Sequence, residues 1–298
     1  MPQDRPLLGI LFMLGFCVLA PLGDATAKVL GATVPLVMLL LTRFAAQAIL
    51  LWPLVLISGM KIRLSPGYAR LMVLRTVLHI LGIGAMFTSL RYLPLADAVA
   101  IAFVMPFIML LLGRFFLGEE VGPHRLVACA VGFVGTLMVV QPSFVSVGWP
   151  AFLPLFVAIV FALFMLVTRQ VAKNVDAINL QAQSGVIACA ILVLLLLIAP
   201  EWPDFGLVRP GAWEWMLLGV IGVVGTVAHL LMTWSLRFAP SATLAPMQYL
   251  EIPIATAFGW LIFRDLPNGL AAAGIVVTIV AGLYVILRER RISVASTA

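Results

Sequence analysis

With 298 residues, of which 63% are hydrophobic and 10% charged, and a mean hydropathy of +1.17, the chain lies outside the range of soluble globular proteins, which are about half apolar and about a quarter charged. The net charge of +6 comes from basic residues scattered between apolar runs rather than massed on one face, so it fits membrane flanks and argues against nucleic-acid binding. Cys17, Cys129 and Cys189 sit singly in apolar segments without metal-ligand spacing, and neither a metal, a disulfide framework nor a cofactor is expected.

Apolar runs of about 20 residues, each long enough as a helix to cross roughly 30 Å of hydrocarbon, recur along the chain. The expected spans are 7–30, 34–58, 68–90, 95–117, 122–141, 147–168, 177–199, 212–235, 241–263 and 267–287. The first has the look of a secretory leader, with Arg5 before the apolar run and Ala25-Thr26-Ala27 after it. Lys28 interrupts that cleavage pattern and many spans follow, so it reads as an uncleaved helix. The fold class expected is an all-α polytopic membrane protein of ten transmembrane helices. If the N-terminus is inside, Arg5, Lys61, Arg63, Arg70, Arg114, Arg125, Arg169, Lys173, Arg237, Arg288, Arg290 and Arg291 fall on one side. Lys28, Arg91, Arg209 and Arg264 fall on the other, which predicts that both termini are cytoplasmic. The lack of an Asn-x-Ser/Thr acceptor leans toward a bacterial inner membrane.

The chain also repeats itself. "SLRYLPLADAVAIAFVMPF" (Ser89–Phe107) lies over "SLRFAPSATLAPMQYLEIP" (Ser235–Pro253) without a gap, and "FFLGE" lies over "LIFRD" in the same register, 146 residues on. Five helices per copy is an odd number, so the second copy enters the membrane from the opposite side, a plan common in secondary transporters. The expected units are 1–141 and 142–291, with 292–298 a cytoplasmic tail.

Features shared by both copies read as architecture. Arg91 and Arg237 are expected as interfacial anchors, Glu119 and Asp265 as boundary residues, and Pro106 and Pro253 as hinges that kink a helix and free a carbonyl. Features of one copy read as function. Glu251 stands opposite Met105, Arg75 opposite Ile221, His79 opposite Gly225, and His229 opposite Ile83. A charge inside a span costs roughly 2.5–3.5 kcal/mol on insertion scales and normally faces a partner or a wet cavity. Glu251 is therefore the leading candidate for substrate or proton binding, with Arg75 as its resting counter-ion. Arg43, His79 and His229 would line or support the cavity, and Gln248 and Tyr249 could hydrogen-bond or stack on a planar solute. Each has a bland alternative, a helix-to-helix polar contact. Asp24 and Lys28 share a helix face and read as an interfacial ion pair, and Asp97 as a helix-opening acid. Trp52, Trp149, Trp202 and Trp213 read as an aromatic belt. Gly9/Gly15, Gly82/Gly84 and Gly132/Gly135 read as close-packing faces rather than phosphate loops.

On "LTRFAAQAILL" in the second span, the FFLGEE ending of the fourth and the five-plus-five plan, the chain resembles the drug/metabolite transporter superfamily, EamA-type, over nearly its whole length. "LRTVLHILGIGAMFTSLRYLP", "MPFIMLLLGRFFLGEE" and "APMQYLEIPIA" look like the S-adenosylmethionine uptake branch, and bacterial riboflavin transporters look similar. Gln248 departs from that branch, which would have a base there. The resemblance implies a central cavity containing Arg75, Tyr249 and Glu251, and secondary transport of a small polar metabolite such as S-adenosylmethionine, riboflavin or an amino acid. Protons are the expected coupling ion, the bilayer the surroundings, and a monomer or homodimer the assembly. An exporter of the same family is the alternative. Rivals of another class, an intramembrane enzyme or a non-transporting sensor, lack a G-x-S-x-G or H-E-x-x-H motif and a partner domain respectively.

Overall fold

A computed structural model describes residues 5–60, 66–118, 122–139, 148–198, 203–264 and 269–295. Among these the regular structure is entirely helical: α1 (Pro6–Leu30), α2 (Leu36–Ile57), α3 (Pro66–Ser89), α4 (Leu95–Ala102), α5 (Met105–Leu117) and α6 (Pro123–Val139). The chain continues with α7 (Leu153–Ala172), α8 (Ala177–Ile198), α9 (Ala212–Phe238), α10 (Ser241–Gln248), α11 (Glu251–Phe258) and α12 (Gly269–Ala295). Prolines set several starts. Pro35, Pro94 and Pro240 hold extended backbone just before α2, α4 and α10, because a proline needs no N–H partner there. Gly118, at φ 63°, ends α5 in the left-handed conformation that glycine adopts without strain.

Among the described residues seven stretches are long and apolar enough to cross a membrane, one of them formed by α4 and α5 together. The other three expected spans coincide with α6, with α10, α11 and the π-helical Gly259–Phe263 in succession, and with α12. The apolar stretches Glu251–Phe263 and Ala272–Ala281 are shorter.

The bundle has two ends. At one, the Arg5 amide donates to the Phe238 carbonyl (2.7 Å) and Arg237 pairs with Asp176 (3.2 Å). At the other, Lys28 donates to the carbonyls of Leu90 and Leu93, and Arg91 pairs with Asp204. These are called the Arg5 face and the Arg91 face. Helix α3 runs from the Arg5 face to the Arg91 face, and α9 runs back. Both expected anchor arginines sit at these ends in partly exposed ion pairs, and Trp149 and Trp213 are exposed. Glu119, Asp265 and Trp202 lie outside the described residues.

Tight helix contacts hold the core. Helix α1 packs on α9, α2 on α8, α3 on α7 and α6 on α12. A methyl group added at Gly9 or Gly15 of α1 would meet Ala239 or Leu231, one added at Gly82 would meet Phe161, and one at Gly132 would meet the Tyr249 ring, all within 2.9 Å. Gly9, Gly15, Gly82 and Gly132 therefore let helices approach closely, whereas Gly84 makes only an ordinary contact with Leu40.

Two helices are broken at matching places. The α4/α5 path is interrupted at Phe103-Val104, and the α10/α11 path at Tyr249-Leu250. The boundaries of α4 and α10 and the starts of α5 and α11 are each 146 residues apart, as are the starts of α3 and α9. Pro106 stands in the first turn of α5 and Pro253 in that of α11, where each removes the N–H that would continue the preceding helix. The turns close instead with short bonds, Phe103 N to Ala100 O and Leu250 N to Met247 O, both 3.1 Å.

Candidate functional site

The two breaks meet at a cavity. Its volume is about 90 Å³, and its walls come from α1, α2, α3, α4, α5, α7, α9 and α11. Phe16, Phe87, Phe103 and Phe161 supply aromatic surface, and the charged or titratable groups are Asp24, Arg43, His229 and Glu251.

Glu251 is the first residue of α11 and is 8% exposed, with Oε1 making no hydrogen bond. At that place the unsatisfied amides of a helix start favour a negative charge. Helix α11 packs on α1 and α4, and Met105 is the counterpart of Glu251 in the first copy. Both line the cavity.

Asp24 lies in the turn after Pro21, the proline inside α1. It lines the cavity and makes no ion pair with Lys28 among the described residues. The expected interfacial pair is thus corrected, because Lys28 is drawn instead to the carbonyl end of α3.

Arg43 is 3% exposed in α2. Its Nη2 lies 2.8 Å from His229 Nδ1, its guanidinium stacks 4.9 Å from the Phe44 ring, and Nη1 makes no hydrogen bond. The same Nδ1 lies 3.0 Å from the Gly225 carbonyl, so it accepts from Arg43 when bare and donates to the carbonyl when protonated. Gly225, one turn earlier on α9, leaves the space that the arginine fills.

Arg75 is fully buried but is not the counter-ion of Glu251. It donates through Nε to Thr168 Oγ1 (2.9 Å) and through Nη1 to Ser184 Oγ, with its cation 4.8 Å from the Phe164 ring. Helix α3 turns this residue toward α7 and α8, and no carboxylate among the described residues pairs with it. His79, one turn on, stacks on Phe164 (4.4 Å) and lies 4.4 Å from the His229 ring, with neither nitrogen hydrogen-bonded. Gln248 and Tyr249 are fully buried and do not line the cavity. Gln248 Nε2 lies 3.1 Å from Met165 Sδ, and the Tyr249 ring packs on Gly132 and Phe103.

Sequence reasoning missed a buried polar ladder. Gln47 of α2 donates to Gln181 of α8, and Gln181 donates to Thr233 Oγ1 (2.6 Å) and the His229 carbonyl of α9. The signal was present as Gln181 and Ser184, three apart in an apolar span. Among the described residues, no three His, Cys, Asp or Glu side chains come together as a metal site.

The EamA-like transporter family matches this chain twice, over residues 7–141 and 148–288. A riboflavin transporter of Rhizobium johnstonii is 31% identical over 73% of this chain and 70% of its own length. An S-adenosylmethionine uptake transporter of Rickettsia prowazekii is 25% identical over 95% of this chain and 94% of its own. A pseudopaline exporter of Pseudomonas aeruginosa is 29% identical over 92% and 93% respectively. A solved crystal structure superposes with a TM-score of 0.71 over 96% of this chain and 98% of that one, at 19% identity, which speaks to fold alone. The chain therefore belongs to the EamA-like transporter family, as a multi-pass membrane protein that carries a small molecule rather than an enzyme.

Proposed function

We propose that this chain is a secondary active transporter moving a small polar organic metabolite across a bacterial cytoplasmic membrane by alternating access. Ten transmembrane helices in two inverted five-helix repeats, 1–141 and 142–291, would do this with both termini in the cytoplasm. The matching breaks, the opposite directions of α3 and α9 and the double family match support the repeat. The Arg5 face carries most of the basic residues, which supports its being cytoplasmic.

One observation carries the reading: Phe103, at one helix break, and Glu251, at the half-helix start just after the other, line one cavity. Discontinuous helices facing a central site are how secondary transporters hold polar solutes within a bilayer. In this reading Glu251 takes a cationic group or a coupling proton, and Arg43, oriented by His229, takes an anionic one. Asp24 adds a second acid and the phenylalanines hold a flat or apolar body. With both acids ionised, Arg43 balances only one, so a proton or a substrate cation completes the charge. Riboflavin-, S-adenosylmethionine- and amino-acid-like solutes all fit this description. Relatives include both named uptake transporters and a named exporter, so either direction is open to test.

The test is movement of labelled riboflavin, S-adenosylmethionine and an amino-acid panel in proteoliposomes, with and without a pH gradient, for wild type and Glu251→Gln. Gradient-driven movement of one solute that the variant loses is the expected result. Equal movement in the variant would remove Glu251 from the mechanism.

A further inference from the structure

The cavity lies in the half of the bundle toward the Arg91 face, bounded by Asp24 near the end of α1 and Ile221 in the early turns of α9. Ile83, Ala102, Phe103, Met105, Ile221 and Gly225 are six of the twelve lining residues that belong to the segments repeating at 146 residues. Their counterparts are His229, Gln248, Tyr249, Glu251, Arg75 and His79. These six counterparts are polar and buried, and Phe87 has Thr233 as its counterpart, whereas Met86, Val99, Ala228, His229 and Glu251 lie opposite Met232, Ala245, Gly82, Ile83 and Met105.

Each of the six polar counterparts also carries an atom without a hydrogen bond: His229 Nε2, Gln248 Oε1, Tyr249 Oη, Glu251 Oε1, Arg75 Nη2 and both nitrogens of His79. These six residues carry seven such atoms, and a buried polar atom without a partner is unfavourable. An inverted repeat supplies the remedy. When the two halves exchange conformations, the first-copy positions close and their second-copy partners open.

We propose that Arg75, His79, Gln248 and Tyr249 form a second half of the substrate site, exposed to the Arg5 face when the cavity toward the Arg91 face closes. Glu251 and His229 belong to both halves, since they line the present cavity and are also counterparts of lining residues. The substrate's anionic oxygen, a carboxylate or its equivalent, passes from Arg43 to Arg75, while its cationic group stays with Glu251. Arg75 suits this role because only hydroxyls and an aromatic face hold it now. A carboxylate can displace Thr168 and Ser184 from the guanidinium and form a two-point pair. The ligand class that fits both halves is amphoteric, with an anionic oxygen at a distance from a cationic nitrogen or sulfur. This inference rests on the inverted-repeat reading above.

The test uses a membrane-impermeant methanethiosulfonate reagent on the full-length protein in sealed proteoliposomes of known orientation. Ala102→Cys reports the present cavity, and Gln248→Cys with His79→Cys report the second half. The native cysteines are buried or half-buried and set the background. The expected result is modification of Ala102→Cys only from the Arg91 face, and of Gln248→Cys and His79→Cys only from the Arg5 face. Arg75→Lys, which keeps the charge but not the two-point geometry, should lose most uptake while its melting temperature holds. Modification of both second-half reporters from the Arg91 face, or of neither from either face, overturns the proposal. Solute uptake measured on the same vesicles separates the two readings. Uptake with the wrong labelling pattern sinks the second half and leaves the transporter standing. The right pattern with no solute moved keeps the second half and removes the substrate class.

Discussion

Arg43 and His229 meet between α2 and α9 with Nη2 2.8 Å from Nδ1, and Gly225 makes that meeting possible. A methyl group at Gly225 would lie 2.8 Å from Arg43 Nε and 3.3 Å from Cζ, so the guanidinium would have to leave the cavity wall. Gly225→Ala is expected to lower stability by about 1–3 kcal/mol, as overpacking does, and to cut uptake strongly. Gly219→Ala, on the same helix with nothing within 4 Å, should change neither. Thermal melts and proteoliposome uptake of the pair check this. Full uptake in Gly225→Ala would mean that the arginine's position is irrelevant to transport.

Asp24 and Lys28 are one helical turn apart and have separate employments. Lys28 closes the carbonyl end of α3, and hydrogen bonds from a charged donor are worth about 1.5–3 kcal/mol. Lys28→Met should lower the melting temperature accordingly, with uptake per folded molecule retained. Among the described residues Asp24 makes no hydrogen bond or salt bridge, and the charge acting on it is that of Arg43. Asp24→Asn should leave the melt unchanged and reduce uptake. A double variant no worse than Lys28→Met in both measurements would return Asp24 to the surface role its spacing first suggests.

Tyr249 presses on Gly132 so closely that a methyl group there would meet three ring atoms at 2.5–2.9 Å. Gly132→Ala therefore forces the fully buried ring off its seat. A loss of about 1–3 kcal/mol in stability is expected, read as a drop in melting temperature. Combining it with Tyr249→Phe should give no relief, because the clash is with the ring. In a Tyr249→Ala background, itself destabilised by the emptied site, Gly132→Ala should add no further loss, and a further loss would place the strain elsewhere.

The apolar runs and their proline boundaries made the helices readable in the sequence, since length and hydropathy set what can cross a bilayer. The comparison of the two copies was as informative. It singled out Glu251 and His229, which line the cavity, and Arg75 and His79, which stack or bond behind it. Who pairs with whom was not readable. Arg75 and Glu251 looked like partners because each was an isolated charge of opposite sign, but the rotation of α3 sends the arginine toward Thr168 and Ser184. Asp24 looked spoken for because Lys28 was nearby in sequence, and only the position of the α3 carbonyls shows otherwise. The Gln47–Gln181–Thr233 ladder escaped notice because each member is a modest polar residue, and its meaning lies in a three-helix contact.

Pro253 bears most directly on how the site is built. It stands two residues after Glu251, and its missing N–H leaves the Tyr249 carbonyl to be met by the Ile252 amide at 3.2 Å. Pro253→Ala restores a donor that can reach back four residues, which favours one continuous helix through Tyr249-Leu250. Removing an interior proline relieves up to about 3 kcal/mol, so the variant should melt at the same temperature or higher. Continuity would turn Glu251 away from the helix start that favours its charge and close the break onto the cavity. Uptake should therefore fall as stability is kept or gained, and Pro106→Ala should do the same from the other side of the cavity. A variant that is more stable and transports as well as wild type would show that the break is only packing. A variant that loses both would show that the proline serves the fold rather than the site.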